Sequence, residues 1–152
     1  MKVRGEQSLP LPLRAAWDLL LNTDVLARAM PGCESLVPAG PDEYDMRMNL
    51  AIASMQGLFA GKIRIEDKNP PASYRLVIDG SGKLGFLRGV GLLTLAEAPP
   101  GTTVHYDGEV QIGGLIASVG ERLLDMTAKM MIRRFFAALE REAGGPVQSS
   151  GR

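Results

Sequence analysis

The sequence predicts an α+β fold in which a strongly curved antiparallel sheet of about seven strands wraps around one long C-terminal helix. Three observations predict it. Successive segments alternate apolar and polar residues, glycines interrupt several of these segments, and a helical pattern over residues 115–142 follows Gly113-Gly114. Glycine inside a strand marks a bend, a bulge or a close approach, so such a sheet curls. The gap between a curled sheet and its helix can hold an apolar ligand.

The elements are predicted in chain order from period and punctuation. Residues 2–9 form a first strand, which Pro10 and Pro12 end because proline has no N–H to donate. Helical spacing then predicts two short helices, over residues 13–21 and 24–29, the second capped by Asn22 or Thr23. From Cys33 onward the period is two. The clearest strands are predicted over residues 43–54, 59–65, 74–78, 84–96 and 102–112.

Composition bounds the organisation of the chain and excludes some classes of function. The 152 residues predict one domain over residues 1–143, followed by a disordered tail, GGPVQSSGR, at residues 144–152. Lys+Arg and Asp+Glu are both 17, which argues against nucleic acid as the main partner. A single cysteine excludes an intramolecular disulfide and zinc-ligand spacing. We expect no cofactor and no metal.

The start of the chain and its hydropathy predict a cytoplasmic protein. The first residues, MKVRGEQ, contain no apolar signal region. No apolar run approaches the roughly 20 residues that a membrane-spanning helix needs.

Residues with catalytic character are few. His105 has the parity of the solvent face of its strand, and Cys33 has no base nearby in the sequence and is expected to be an inert buried thiol. Gly80-Ser81-Gly82-Lys83 does not have the spacing of a phosphate-binding loop. We therefore expect a binding protein rather than an enzyme.

The predicted long helix supplies one wall of a candidate site. On a wheel drawn from Leu115, one broad apolar face includes Gly120 and Thr127. Glycine in a helix interior costs about 1 kcal/mol relative to alanine, so Gly120 indicates either close packing on the sheet or room for a ligand. Thr127 either faces the ligand or bonds the carbonyl four residues before it.

The opposite wall is predicted from strand parity. The inward-facing candidates for ligand contact are Met46, Met48, Ile63, Tyr74, Leu76 and Tyr106. The tyrosine hydroxyls belong to the core or orient a polar head group.

A second surface is predicted near the C-terminal half of the helix. Ile132 and Phe136 lie off the apolar face of the wheel, with Arg133 between them. These three residues are the candidates for contact with a partner protein or a lipid surface, and the alternative is cover over a neighbouring loop or a dimer contact.

Several motifs together resemble one known family. They are Met30-Pro31-Gly32-Cys33, Gly57-x-Phe59-x-Gly61, Asn69-Pro70-Pro71-x-x-Tyr74, Thr102-x-Val104-x-Tyr106 and Gly113-Gly114-Leu115-Ile116-Ala117. In this order they resemble the family of the CoxG subunit of carbon monoxide dehydrogenase, which is part of the START-like helix-grip superfamily. The match extends to about Leu139.

The resemblance implies a helix-grip fold with an internal hydrophobic cavity. It also implies an accessory role beside a molybdenum hydroxylase of the carbon monoxide dehydrogenase type, with membrane recruitment of that enzyme and handling of a lipophilic quinone. Peripheral contact with the inner face of the membrane would follow. Two alternatives stay open: an enzyme like the polyketide cyclases or hydrolases of related grip folds, and a docking adaptor that holds no ligand.

Overall fold

A computed structural model describes the backbone of residues 1–150 and the side chains of residues 1–144. The elements are β1 (Lys2–Leu9), α1 (Leu13–Leu20), α2 (Thr23–Ala29), β2 (Cys33–Gly40), β3 (Glu43–Ile52), β4 (Met55–Asn69), β5 (Ser73–Gly82), β6 (Gly85–Ala98), β7 (Gly101–Gly113), a 3₁₀ turn (Leu115–Val119) and α3 (Glu121–Ser150). The prediction of a disordered tail falls on residues that lie almost wholly outside the described side chains, and it stays a prediction.

The seven strands form one antiparallel sheet in the order β1-β7-β6-β5-β4-β3-β2. Strands β2 to β7 follow one another as a meander, and β1 joins the far edge by pairing with β7. The sheet wraps around α3 and the two short helices follow β1, so the predicted fold class is confirmed.

The connection between β1 and β2 begins as the sequence predicts. Asn22 caps α2, since its Oδ1 accepts a hydrogen bond from the Val25 backbone N–H at 3.1 Å. At the other end of α2, Arg28 makes two hydrogen bonds to the Glu142 carboxylate, at 2.8 and 3.0 Å. This bidentate pair ties α2 to α3.

The interior consists of two groups of buried apolar side chains. The Trp17 cluster lies under α1, α2 and the C-terminal half of α3, and Trp17 packs edge-on against Tyr74 with ring centroids 5.6 Å apart. The Met46 cluster lies towards the N-terminal end of α3. Its buried members are Leu36, Met46, Met48, Leu50, Ile52, Phe59, Ile63, Ile116 and Leu124.

The last helix differs from the prediction at its start. Residues 115–119 form a 3₁₀ turn, the backbone breaks at Gly120 with φ 94° and ψ 151°, and α3 begins only at Glu121. A wheel drawn from Leu115 therefore carries the wrong phase into α3. Leu123, predicted on the apolar face, is 43% exposed, whereas its neighbour Leu124 is buried.

The same phase error affects the predicted partner surface. Phe136 is 6% exposed and belongs to the Trp17 cluster, and Ile132 packs against that cluster. The prediction that these two side chains lie off the core is wrong. Of the three residues, only Arg133 is exposed. The exposed large apolar residues of this region are instead Leu115, Leu123 and Met126.

Candidate ligand-binding site

The structure brings the strand residues of the predicted site to one face of the sheet. Met46, Met48 and Ile63 are buried in the Met46 cluster, and Tyr74 is buried in the Trp17 cluster. Leu76 packs against both clusters and so lies at the boundary between them. Tyr106, half-buried, lies across from Gly5 on the neighbouring strand. The ligand contacts assigned to these residues stay a prediction.

The two helix residues of the predicted site are placed differently. Gly120 is exposed at the break before α3, and a Cβ atom there would meet no other atom within 4 Å. The prediction that it lies within a helix is therefore wrong. Thr127 is half-buried, and its hydroxyl donates to the Leu123 carbonyl at 2.8 Å, which matches the local alternative expected from the sequence.

Sequence reasoning missed the sheet floor opposite α3. Strand pairing places Gly91 beside Leu76 and opposite Gly108, and Gly89 beside Ile78 and opposite Val110. Paired residues of antiparallel strands share a face, so all three glycines face the interior. The parity of Gly89 and Gly91 in β6 was the available signal, but only the curvature of the sheet was predicted from these glycines.

Around these glycines the inner face of the sheet is incompletely covered. The half-buried apolar side chains that surround the floor are Leu76, Ile78, Leu87, Leu93, Val110 and Ile112. Their rows along β5, β6 and β7 follow from the register of the strands. A close-packed interior would bury such side chains fully, so the structure leaves apolar surface accessible between the sheet and α3.

A depression of about 400 Å³ opens beside this floor. It lies between the β7 edge of the sheet and the start of α3, and its lining residues are Met1, Val110, Gln111, Ile112, Ala117, Glu121 and Leu124. Val110 borders both the depression and the glycine floor. The depression is therefore a candidate mouth for the site.

Charge is confined to the other face of the sheet. The inward positions of β3 to β7 carry apolar residues, glycine, tyrosine and threonine. The buried Thr102 donates to the Leu11 carbonyl at 2.7 Å. Burial raises the pKa of the Tyr74 hydroxyl well above its usual value, so this group is neutral.

Within the part of the chain that the structure describes, nothing resembles a metal centre, and no buried side-chain nitrogen or oxygen lacks a hydrogen-bond partner. The interior therefore suits an apolar guest.

The remaining candidates for chemistry lie elsewhere. His105 is exposed on the outer face, as predicted, with Nδ1 3.2 Å from Glu6 Oε2. A second depression, of about 410 Å³, surrounds this pair on the face that points away from α3. Cys33 is half-buried, and burial raises the pKa of its thiol, which disfavours the nucleophilic thiolate.

Among the described helices, none combines the length and the apolar character needed to cross a bilayer.

Comparison with known proteins places the chain in a family. Residues 5–144 match the family of the CoxG subunit of carbon monoxide dehydrogenase. A solved structure of a conserved protein from Geobacillus kaustophilus is similar over 93% of this chain and 94% of its own, with 29% identity and a TM-score of 0.89. No curated protein sequence matches the chain.

More distant solved structures share the fold alone. Ara h 8.0201 is 14% identical, with a TM-score of 0.64 and coverage of 98% of both chains. The di-domain ARO/CYC BexL from the BE-7585A biosynthetic pathway is 13% identical, with a TM-score of 0.62. It is matched over 92% of this chain and 48% of its own.

Proposed function

The chain belongs to the CoxG family of carbon monoxide dehydrogenase, and from this premise we propose that it is a non-catalytic carrier of a lipophilic small molecule of the quinone type. Its partner in this proposal is an oxidoreductase of the carbon monoxide dehydrogenase type, a molybdenum hydroxylase that the carrier helps to recruit to the membrane by peripheral contact. The name of the family supports the choice of partner.

The observation that carries the proposal is the half-covered apolar floor between the sheet and α3. Side chains such as Ile78 and Ile112 face the interior and are nevertheless half-buried. Covering apolar surface with a ligand contributes about 25 cal/mol per Å². The mouth, at about 400 Å³, has the size of a small-molecule site.

The walls suit a guest that varies in shape. Met46 and Met48 are buried in the Met46 cluster, and Met30 and Met131 pack against it. Methionine side chains are unbranched and adapt to irregular volumes. This composition favours binding by shape and apolar contact over recognition by many polar groups.

The energetics separate the two parts of a prenylated quinone. A hydrogen bond from a tyrosine hydroxyl to a ring carbonyl contributes about 0.5–1.5 kcal/mol. Burying the tail contributes about 0.8 kcal/mol per CH₂. Tail length should therefore change the affinity more than ring substitution does.

Two alternatives are distinguished by chemistry. A cyclase or hydrolase needs an acid or a base at its substrate, and the inward strand positions of this chain carry none. An adaptor that holds no ligand would bind its partner equally well when delipidated. The carrier is therefore the function that the inner face favours.

The experiment is a titration of delipidated protein with quinones of short and long isoprenoid tail. Fluorescence of Trp17, which is buried against Tyr74, reports binding, and calorimetry checks it. We expect saturable binding that tightens with tail length, and recovery of the ligand with unchanged mass. A chemically altered ligand would favour the enzyme, and no saturable binding in a folded sample would favour the adaptor.

A matched pair of variants locates the binding. Ile78→Asn places an amide on the inner face, whereas Val90→Asn changes a side chain that is 45% exposed on the outer face. The first should weaken binding and the second should leave it unchanged. Equal effects of the two variants would contradict a site between the sheet and α3.

A further inference from the structure

We propose that the bare backbone at Gly89, Gly91 and Gly108 is the seat of a flat ring, with the rest of the ligand extending to the mouth beside Val110. This inference rests on the proposed function. It adds which part of the ligand lies where, and that this part is planar.

The first step is that most strand glycines of this protein have a local steric cause. At Gly61, Gly82 and Gly101 a Cβ atom would collide with the backbone of a neighbouring segment, at Asp79, Leu58 and Leu9 respectively. At Gly80 a Cβ atom would come within 2.9 Å of the Met46 side chain. Glycine is required at such positions by packing alone.

Gly89 and Gly91 have no such cause. A Cβ atom at Gly91 would meet only Asp107 O and Gly108 Cα, both at 3.6 Å, and one at Gly89 would meet only Val110 Cγ2 at 3.6 Å and Glu109 O at 3.7 Å. These are ordinary contacts with the adjacent strand. Neither glycine has a positive φ angle. A larger residue would fit and would stabilise the strand, because glycine weakens a strand interior.

The second step is that no described side chain covers these two glycines. All the atoms within 4 Å of their ideal Cβ positions belong to β7, so the described part of α3 does not fill the space above the floor. The half-buried side chains of Leu76 and Ile78 stand on one side of it, and Val110 stands on the other. The result is a shallow, flat-bottomed hollow with apolar walls.

The third step is the size of the floor. Gly89 and Gly91 are two residues apart in one strand, which is roughly 7 Å, and Gly108 lies across the strand gap of about 4.8 Å. A bare patch of these dimensions matches the face of one six-membered ring or of two fused rings. A flexible chain gains little from a flat floor, since it can follow any groove. The geometry therefore favours a planar ring at this place.

The test uses two ligands with the same short isoprenoid tail, a naphthoquinone and a primary alcohol, titrated into Gly91→Val and into the unaltered chain. The valine side chain would occupy the floor. Affinity for the naphthoquinone should fall by about tenfold or more, the effect of misfitting groups in an apolar pocket, whereas the alcohol should bind with nearly unchanged affinity. The control is Leu92→Val, which alters an outward side chain next to Gly91 that is 51% exposed.

Folding of the variant is checked by thermal unfolding, where we expect a melting temperature equal to or above that of the unaltered chain. Gly89→Ala is a second, smaller change that keeps the test informative if Gly91→Val does not fold. Equal loss of both ligands, or loss of neither, would overturn the ring seat while leaving the carrier function intact. If the unaltered chain binds neither ligand, the proposed function and the seat fall together.

Discussion

Substitution of Gly120 by alanine tests the break between the 3₁₀ turn and α3. The backbone at Gly120 has φ 94° and ψ 151°, a region that is essentially restricted to glycine. The Gly120 carbonyl accepts the first hydrogen bond of α3, from the Leu124 N–H at 3.1 Å. The substitution therefore acts where the phase of the helix is set.

The magnitude of the effect follows from the backbone alone. A Cβ atom at Gly120 meets nothing within 4 Å, so no clash contributes. Holding alanine in this conformation costs about 1–3 kcal/mol. The reduced freedom of the unfolded chain offsets about 0.4–1 kcal/mol of that cost. The net expectation is a destabilisation of about 1–2 kcal/mol. In a continuous helix the same change would stabilise the protein by up to about 1 kcal/mol.

The assay is urea unfolding followed by Trp17 fluorescence. Asparagine at Gly120 should also destabilise, because the ψ angle lies outside the left-handed helical region that asparagine tolerates. Ala137→Gly, at an exposed position inside α3, is the matched control and should cost about 1 kcal/mol. A Gly120→Ala protein more stable than the unaltered chain would refute the break and restore one helix from residue 115.

Two further predictions concern the C-terminal half of α3. Phe136→Ala should destabilise the protein by about 3–5 kcal/mol, as expected for a buried aromatic residue, whereas Arg133→Ala should change thermal stability little. Arg28 lowers the pKa of Glu142, mainly through their hydrogen bond. The stability from this pair is therefore present above the usual carboxyl pKa and is lost as pH falls through the lowered value. Glu142→Gln should flatten stability-against-pH curves below about pH 4.3, and an unchanged acid limb would contradict the pairing.

The strand half of the fold could be predicted because its signals are local. In β3, Tyr44, Met46 and Met48 alternate with charged residues, and the observed strand buries the same parity. Period-two alternation survives small errors in the ends of a strand, since a strand has only two faces. The short helix α2 was equally readable, from its cap at Asn22 and its stop before Pro31-Gly32.

The candidate site was only partly readable for a different reason. Met46, Ile63 and Leu76 were placed on the inner face by parity, and they lie there. Gly89 and Gly91 had the same parity, but a sequence does not show whether a neighbouring segment fills the space above a glycine. That depends on the position of α3, which residues far away in the chain determine.

The sequence by itself determined the fold class, the order of elements, the uncharged inner face of the sheet and the membership of the family. Only the tertiary structure decided which helix residues face inward. The break at Gly120 resets the phase of α3 and places Phe136 rather than Leu123 in the core. Successive residues of a helix are about 100° apart around its axis. A single non-helical residue is therefore enough to redirect every side chain after it, and the energy of that residue is set by contacts across the whole fold.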